Sequence, residues 1–405
     1  MIGILAFIVF SSGGRFAAAE APGQQREGEV VRDNDTWNAQ VNGETLYHGA
    51  DMIQALQAAA NGLTPERTSK ETVNVRSSGS TGSHSGNGGV KAVDISSYTL
   101  FDFHGNTMNV NDDRNNLIVP FRGQGVDDIE IRNLKITGNP RYGIWLLGCI
   151  NVTLSDVHLS ISETKDSRGP GIGIRIEARN GQTRGRWNEN VELSGVVVEG
   201  SKGHGVEFWG TDGIRIDTIT TRNTGGSGLL INNNRNVRIG IVDAYRANHG
   251  GGYAGFRTAN GAGPNITVDK VIARECGRGI FTVSGSHGIT IHEVDIIGST
   301  GQGILIEDSQ DIQINGGAIH DCGSEGIRIA SRRLGQGPGS DHHPSKNVTI
   351  QNVRISGCPY GIRETLPRTN SNVILNNDLR GNGACLVHEG EGTVAEGNIC
   401  SAEQS

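Results

Sequence analysis

Apolar and polar residues alternate in a repeating pattern from about Ser97 onward. A strand of the form Gly–apolar–x–apolar is followed by a polar turn and by a second alternating strand, such as Asn-Val-Thr-Ile. A period of about 20–30 residues with β-branched strands and Gly or Asn turns predicts a stacked β-solenoid. The first strands of the repeat are YGIWLL, GIGIRIEA, HGVEFWG, SGLLINN, AGFRTAN, RGIFTVS, QGILIED, EGIRIAS and YGIRETL.

We therefore predict an all-β fold, a single-stranded right-handed parallel β-helix (solenoid) of about ten to twelve coils. Because side chains alternate along a strand, one set should point inward and stack as an aliphatic ladder. The predicted ladder consists of Ile144, Ile174, Val206, Leu229, Phe256, Ile280, Ile304, Ile327 and Ile362.

The segment before the repeat differs in character. Residues 1–19 have an apolar run, Ile2–Phe10, followed by small residues, which is typical of a secretory signal peptide. Residues 20–96 are expected to form an N-terminal extension and cap, with a capping helix over 51–60 and a flexible Gly/Ser loop over 76–89. Residues 97–405 should form the catalytic β-helix.

Composition narrows the function. The chain has 405 residues, 61 glycines and a net charge of −7. Without a basic excess it is not expected to bind nucleic acid. No apolar run approaches the ~20 residues of a membrane span. Six cysteines suit an oxidising compartment, and Cys385 and Cys400 bracket a C-terminal turn that a disulfide would close. We expect a secreted or periplasmic monomer that needs no cofactor or metal.

The outward-facing positions next to the ladder carry arginine, glutamate and tryptophan. Guanidinium groups match carboxylates, and the flat rings of tryptophan suit sugars. A solvated strand face held by Arg–Glu pairs is the alternative for any single residue. The candidates for binding an anionic polysaccharide are Arg175, Glu207, Trp209, Arg246, Arg278 and Arg328.

Turns on one edge of this face contain side chains that can transfer protons. Lys202 and His204 precede one strand, and His249 and Tyr253 precede the strand of Arg257. The catalytic candidates are therefore Lys202, His204, His249, Tyr253 and Arg257, although a surface turn residue is the alternative for each histidine.

The stretches HGVEFWG, SGLLINNNRNVRIGIVDA, GGGYAGFRTANGAGPNITVDKV and GRGIFTVSGS resemble the β-helix proteins of polysaccharide lyase family 31. The resemblance covers roughly residues 35–365. It implies cleavage of a mannuronate-rich, alginate-like polymer by β-elimination, in which Lys202 and Tyr253 would serve as base and acid. Arg257 or Arg175 would neutralise the carboxylate, and His204 and His249 are alternatives for the base.

Other β-helix functions remain open. A mannuronan C5-epimerase begins with the same proton abstraction, although the Asp-Pro-His signature of those enzymes is not visible. A polygalacturonase-like hydrolase is disfavoured because Gly203-His204-Gly205 lacks the acidic pairs of that family. Acidic residues along the strands are too scattered for the Ca²⁺ sites of pectate lyases. A non-catalytic glycan-binding β-helix is the alternative from another class.

Overall fold

The computed structural model describes residues 25–82, 89–111, 117–162, 171–178, 185–341 and 343–400. The expected signal peptide lies outside these residues. The single helix among them is α1 (Met52–Gly62). The strands, in chain order, are β1 (Glu27–Asp33), β2 (Thr36–Val41), β3 (Glu44–Gly49), β4 (Glu71–Val75), β5 (Gly79–Ser80), β6 (Lys91–Ile95), β7 (Thr99–Asp102), β8 (Thr107–Val110), β9 (Ile118–Gln124), β10 (Asp127–Gly138), β11 (Tyr142–Leu147), β12 (Ile150–Ile161), β13 (Ile172–Glu177), β14 (Asn188–Ser194), β15 (Val196–Ser201), β16 (Val206–Trp209), β17 (Thr211–Thr224), β18 (Leu229–Asn232), β19 (Arg235–Tyr245), β20 (Ala254–Ala259), β21 (Ile266–Arg274), β22 (Arg278–Thr282), β23 (His287–Ile297), β24 (Ile304–Glu307), β25 (Gln310–Ile314), β26 (Gly317–His320), β27 (Glu325–Ala330), β28 (Lys346–Gln351), β29 (Val353–Ser356), β30 (Tyr360–Glu364), β31 (Val373–Leu375), β32 (Ala384–Val387) and β33 (Val394–Glu396).

Twelve of these strands form one continuous parallel sheet, named here the site sheet. Its order is β6, β9, β11, β13, β16, β18, β20, β22, β24, β27, β30 and β32, so successive coils of the chain are neighbours. The other strands wrap around the remaining sides of the solenoid and also pair in parallel from β4 onward. The predicted parallel β-helix is confirmed.

The predicted inward ladder is also confirmed. Ile144 pairs with Ile174, and the register continues without a shift through Phe256 to Ile362. All of these side chains are fully buried. A column of glycines precedes the ladder because space is lacking: a Cβ on Gly228 would lie 2.3 Å from Oγ1 of Thr221.

The capping helix α1 covers the first coil. The carboxylate of Asp51 accepts hydrogen bonds from the backbone N–H groups of Ile53 and Gln54, at 2.9 and 3.1 Å, and so fixes the start of the helix. Met52, Leu56 and other apolar side chains of α1 are buried in the same core as the ladder. The helix hides an open edge of the solenoid that would otherwise pair with other chains.

Part of the segment expected to be a flexible loop forms a strand instead. Gly79 and Ser80 pair in parallel with Met108 and Asn109. A Cβ on Gly79 would lie 2.3 Å from the ring of Trp37, so the glycine permits this close approach.

Cys385 and Cys400 form a disulfide across the last coil, as the sequence predicts. No helix among the described residues is long and apolar enough to cross a membrane.

Candidate functional site

The outer face of the site sheet carries the predicted outward column in exact register from coil to coil. It runs through Trp145, Arg175, Glu207, Leu230, Arg257, Phe281, Leu305, Arg328 and Arg363. The structure divides the arginines of this column into three groups with different partners: Arg175, Arg257, and the pair Arg328 and Arg363, which both lie within 3.8 Å of Glu325.

The first group is a closed ion-pair network, named here the N-terminal network. Arg175 donates to Glu177 at 2.8 Å and to the phenol oxygen of Tyr142 at 3.2 Å, and it lies 3.9 Å from Glu207. The indole N–H of Trp145 donates to Glu177 at 2.9 Å. The side chains of Arg175, Glu177 and Glu207 are at most 7% exposed.

Attraction between the charges of this network stabilises the protonated form of Arg175. Burial acts to lower the pKa of Arg175, but attraction to Glu207, Tyr142 and Glu177 outweighs it, so the pKa is raised. Arg175 is therefore already paired with two carboxylates, although its Nε has no hydrogen-bond partner among the described residues. Its role as the group that neutralises the substrate carboxylate stays a prediction.

The second group, named here the central cluster, consists of His204, Tyr253, Arg257, Arg278 and Phe281. The rings of His204 and Tyr253 meet edge to face with centroids 5.4 Å apart. The guanidinium of Arg257 lies 4.8 Å from the ring centroid of Tyr253 and 5.3 Å from that of Phe281. Arg278 lies 4.8 Å from the same Phe281 centroid. Three predicted catalytic residues thus meet in one place.

Neither arginine of the central cluster forms an ion pair with an acid among the residues that the structure describes. Arg278 donates to the neutral side-chain oxygen of Gln302 at 2.8 Å and to the carbonyl of Gly252. The buried Nε of Arg257 has no hydrogen-bond partner. Burial is the main cause that lowers the pKa of both arginines, and Arg278 further lowers that of Arg257. Glu207 attracts Arg257, and Glu307 and Glu325 attract Arg278, from beyond ion-pair distance. Two partly buried cations without an ion-paired acid among the described residues form a site for an anion.

His204 is held as a neutral hydrogen-bond donor. Its Nδ1 accepts a hydrogen bond from the backbone N–H of Ser227 at 2.8 Å, so the proton of the neutral ring lies on Nε2. Burial, followed by the charges of Arg257 and Arg175, lowers the pKa of His204 to about 4. With its lone pair occupied, His204 suits donation to a substrate oxygen better than removal of a proton.

Of the remaining candidates, Lys202, Arg246 and His249 lie on turns beside the sheet, whereas Trp209 lies on β16. Lys202 is exposed in the turn before β16, and its side chain has no hydrogen bond or ion pair with the described residues. Nδ1 of His249 lies 2.7 Å from the carbonyl oxygen of Glu275, and Arg246 donates to the carboxylate of Glu275 at 2.8 Å. Trp209 stands on the outer face in register with Glu177. Roles for these residues in turnover stay predictions.

The structure adds residues that the sequence analysis did not single out. The loop 331–341 is anchored by Arg332, which pairs with Asp308 and donates to Ser284 Oγ at 3.0 Å. Arg332 also lies 3.4 Å from Glu307, whose pKa is raised, mainly by burial. These contacts hold the loop beside the C-terminal ends of β22 and β24. The adjacent Asp341-His342-His343 motif includes His342, which lies outside the described residues.

Among the described residues, no group of three or more His, Cys, Asp and Glu side chains is placed to hold a metal ion.

Comparison with known proteins agrees with this architecture. Residues 120–240 and 204–362 match the family model of the right-handed β-helix region, and together they span more than half of the chain. The chain belongs to this family. No curated protein matches it in sequence.

Solved structures share the fold at low identity. The A-module of the mannuronan C-5 epimerase AlgE6 of Azotobacter vinelandii is 17% identical, with a TM-score of 0.69 over 87% of this chain and 96% of that chain. The A-module of AlgE4 from the same organism is 16% identical, with a TM-score of 0.64 and the same coverage. At this identity the likeness concerns the fold alone. The resemblance to polysaccharide lyase family 31 stays a prediction.

Proposed function

We propose that this protein acts on a uronate polymer by removing the C5 proton beside the carboxylate, and that it completes the reaction as a polysaccharide lyase. The observation that carries the proposal is the central cluster, where Arg257 and Arg278 lack acidic partners and lie against two side chains able to exchange or donate protons. A uronate carboxylate supplies the missing negative charge.

The chemistry follows from the arrangement. Arg257 binds the carboxylate and offsets the charge that develops on it when the C5–H bond breaks. Tyr253, which packs on Arg257, takes the proton as a phenolate and becomes a phenol. The electron pair forms the C4–C5 double bond, the C4–O4 bond breaks, and the departing O4 takes the proton from the Tyr253 phenol, which restores the phenolate. His204 donates from Nε2 to a substrate oxygen.

A C5-epimerase is the second candidate, and it shares the first step. Two solved structures that share the fold with TM-scores of 0.69 and 0.64 are both described as mannuronan C-5 epimerase modules, which favours this candidate. In an epimerase the C5 anion is reprotonated from the opposite face, so the chain stays intact. The unpaired arginines and Tyr253 serve either outcome.

The test uses four polymers: polymannuronate, polyguluronate, glucuronan and polygalacturonate. Elimination produces an unsaturated sugar end that absorbs in the ultraviolet, hydrolysis produces reducing ends without that absorbance, and epimerisation changes the uronate composition without cleavage. We expect absorbance with a mannuronate-rich polymer, and at least about a 100-fold loss of turnover in Tyr253→Phe.

The matched control is Tyr98→Phe, a phenol in the turn before β7, which should leave turnover unchanged. Binding without any chemical change to the polymers would replace the enzymatic proposal with a glycan-binding function. Equal turnover by Tyr253→Phe and the unmodified protein would remove Tyr253 from the mechanism.

A further inference from the structure

The outward column extends beyond the central cluster toward the C-terminal coils. After Arg257 the register passes through Phe281 and Leu305 to Arg328 and then to Arg363. Parallel strands stack at about 4.8 Å. Arg328 therefore lies three coils, or about 14 Å, from Arg257, and Arg363 lies one coil further.

These two C-terminal arginines share one carboxylate. Glu325 Oε1 lies 3.8 Å from Arg328 and 3.7 Å from Arg363. Glu325 is only 3% exposed, and it accepts hydrogen bonds from Ser324 at 2.6 Å and from Gln302 at 3.1 Å. The carboxylate is thus fixed in the wall, whereas the arginine side chains are 37% and 35% exposed. Two half-exposed arginines share this one buried carboxylate, so these three groups together carry a net positive charge on the outer face of the site sheet.

The opposite end of the column differs. In the N-terminal network Arg175 is paired with two glutamates and is 7% exposed. An anionic polymer lying along the outer face therefore meets half-exposed arginines in one direction from Arg257, and a buried arginine that is already paired with carboxylates in the other.

We infer that the polymer extends from Arg257 toward the C-terminal coils, and that Arg328 and Arg363 bind a second uronate carboxylate of the same chain. This inference rests on the proposed function. The separation of about 14 Å means that a disaccharide occupies only the central cluster, while a hexasaccharide reaches both sites. Arg328 and Arg363 then determine the preference for long, continuously charged substrates.

The experiment measures binding of uronate disaccharide and hexasaccharide by calorimetry, in a Tyr253→Phe background that slows turnover. The double variant Arg328→Gln/Arg363→Gln should weaken hexasaccharide binding by about tenfold or more and reduce its salt dependence, while disaccharide binding stays the same. The matched control is Arg215→Gln, a 70% exposed arginine on β17, outside the site sheet, and it should change neither affinity.

A second variant makes the net charge around Arg328 and Arg363 more positive instead of less. Glu325→Gln removes the shared acid but keeps both arginines, so hexasaccharide binding should become several-fold tighter. This variant also covers the case in which the double variant fails to fold.

The second site is refuted if none of these changes affects hexasaccharide binding, or if the double variant weakens hexasaccharide and disaccharide binding equally. Either result leaves the proposed function intact. If the unmodified protein binds no uronate oligomer at all, both proposals fail.

Discussion

Replacing Arg257 with methionine should abolish turnover with little effect on stability. The same change at Arg175 should unfold much of the part of the site sheet that holds the N-terminal network. The two arginines occupy the same outward column, but Arg175 is enclosed by acids and Arg257 has none among the described residues. Methionine retains the apolar volume of the stem, so the comparison isolates the charge.

The magnitude at Arg257 comes from two opposing contributions. Arg257 and Arg278 lie 5.3 and 4.8 Å from the centroid of Phe281, and so at most about 10 Å apart. Their repulsion at that distance and an effective dielectric constant near 20 is about 1.7 kcal/mol. The lost contacts with the rings of Tyr253 and Phe281 cost about 0.5–1 kcal/mol each. The free energy of unfolding should therefore change by less than about 1 kcal/mol.

At Arg175 the change removes the guanidinium that the buried Glu177 and Glu207 share, which costs about 3–5 kcal/mol. Urea unfolding followed by circular dichroism measures both variants, and initial rates on the preferred polyuronate measure function. Arg257→Met should lose at least about 100-fold in kcat/KM. An Arg257→Met protein as unstable as Arg175→Met would show that Arg257 supports the fold, and would refute the inference from its missing partner.

Three further predictions concern the scaffold. The native pKa of His204, about 4, lies below its unfolded value near 6.5, so the unfolded state binds the proton first and stability falls as pH drops from 6.5 toward 4. His204→Gln should remove this component, at most about 3 kcal/mol, from urea titrations at several pH values. Cys400→Ser removes the disulfide between Cys385 and Cys400, which are 15 residues apart in sequence. The free energy of unfolding should fall by up to about 3 kcal/mol, and hydrogen exchange in the last coil should become faster. Gly228→Ala places a Cβ 2.3 Å from a neighbouring oxygen and should lower the melting temperature, whereas Gly171→Ala, with no atom closer than 3.7 Å, should not.

The fold was predictable because strand alternation and a regular repeat together determine which side chains enter the core. Ile144 and Ile362 stand at opposite ends of the same inward ladder, as their positions in the repeat predict. The same alternation correctly places Arg175 and Arg257 outward. Coil-to-coil register follows from the repeat because an in-register stack is the arrangement that pairs every strand.

The sequence indicates less clearly which ion-pair, hydrogen-bond or ring partner each outward-facing residue has. Glu177 lies two residues after Arg175 on the same strand, and Glu207 lies in the next coil. The sequence therefore contains the signal for the N-terminal network, but the same residues also fit a row that binds substrate. The contact of His204 with Ser227 joins residues 23 apart in sequence, and it depends on the path of a turn. Phe281 resembles any apolar strand residue until its two arginine contacts are known.

The most direct test follows the hydrogen at C5 of the substrate. A polyuronate labelled with deuterium at C5 is incubated with the protein, and label appearing in the water is measured alongside the products. We expect label to be released in proportion to turnover, whether the product is cleaved or epimerised, and Arg257→Met to release almost none. Polymer cleavage with the label fully retained at C5 would contradict proton abstraction as the chemistry of this site.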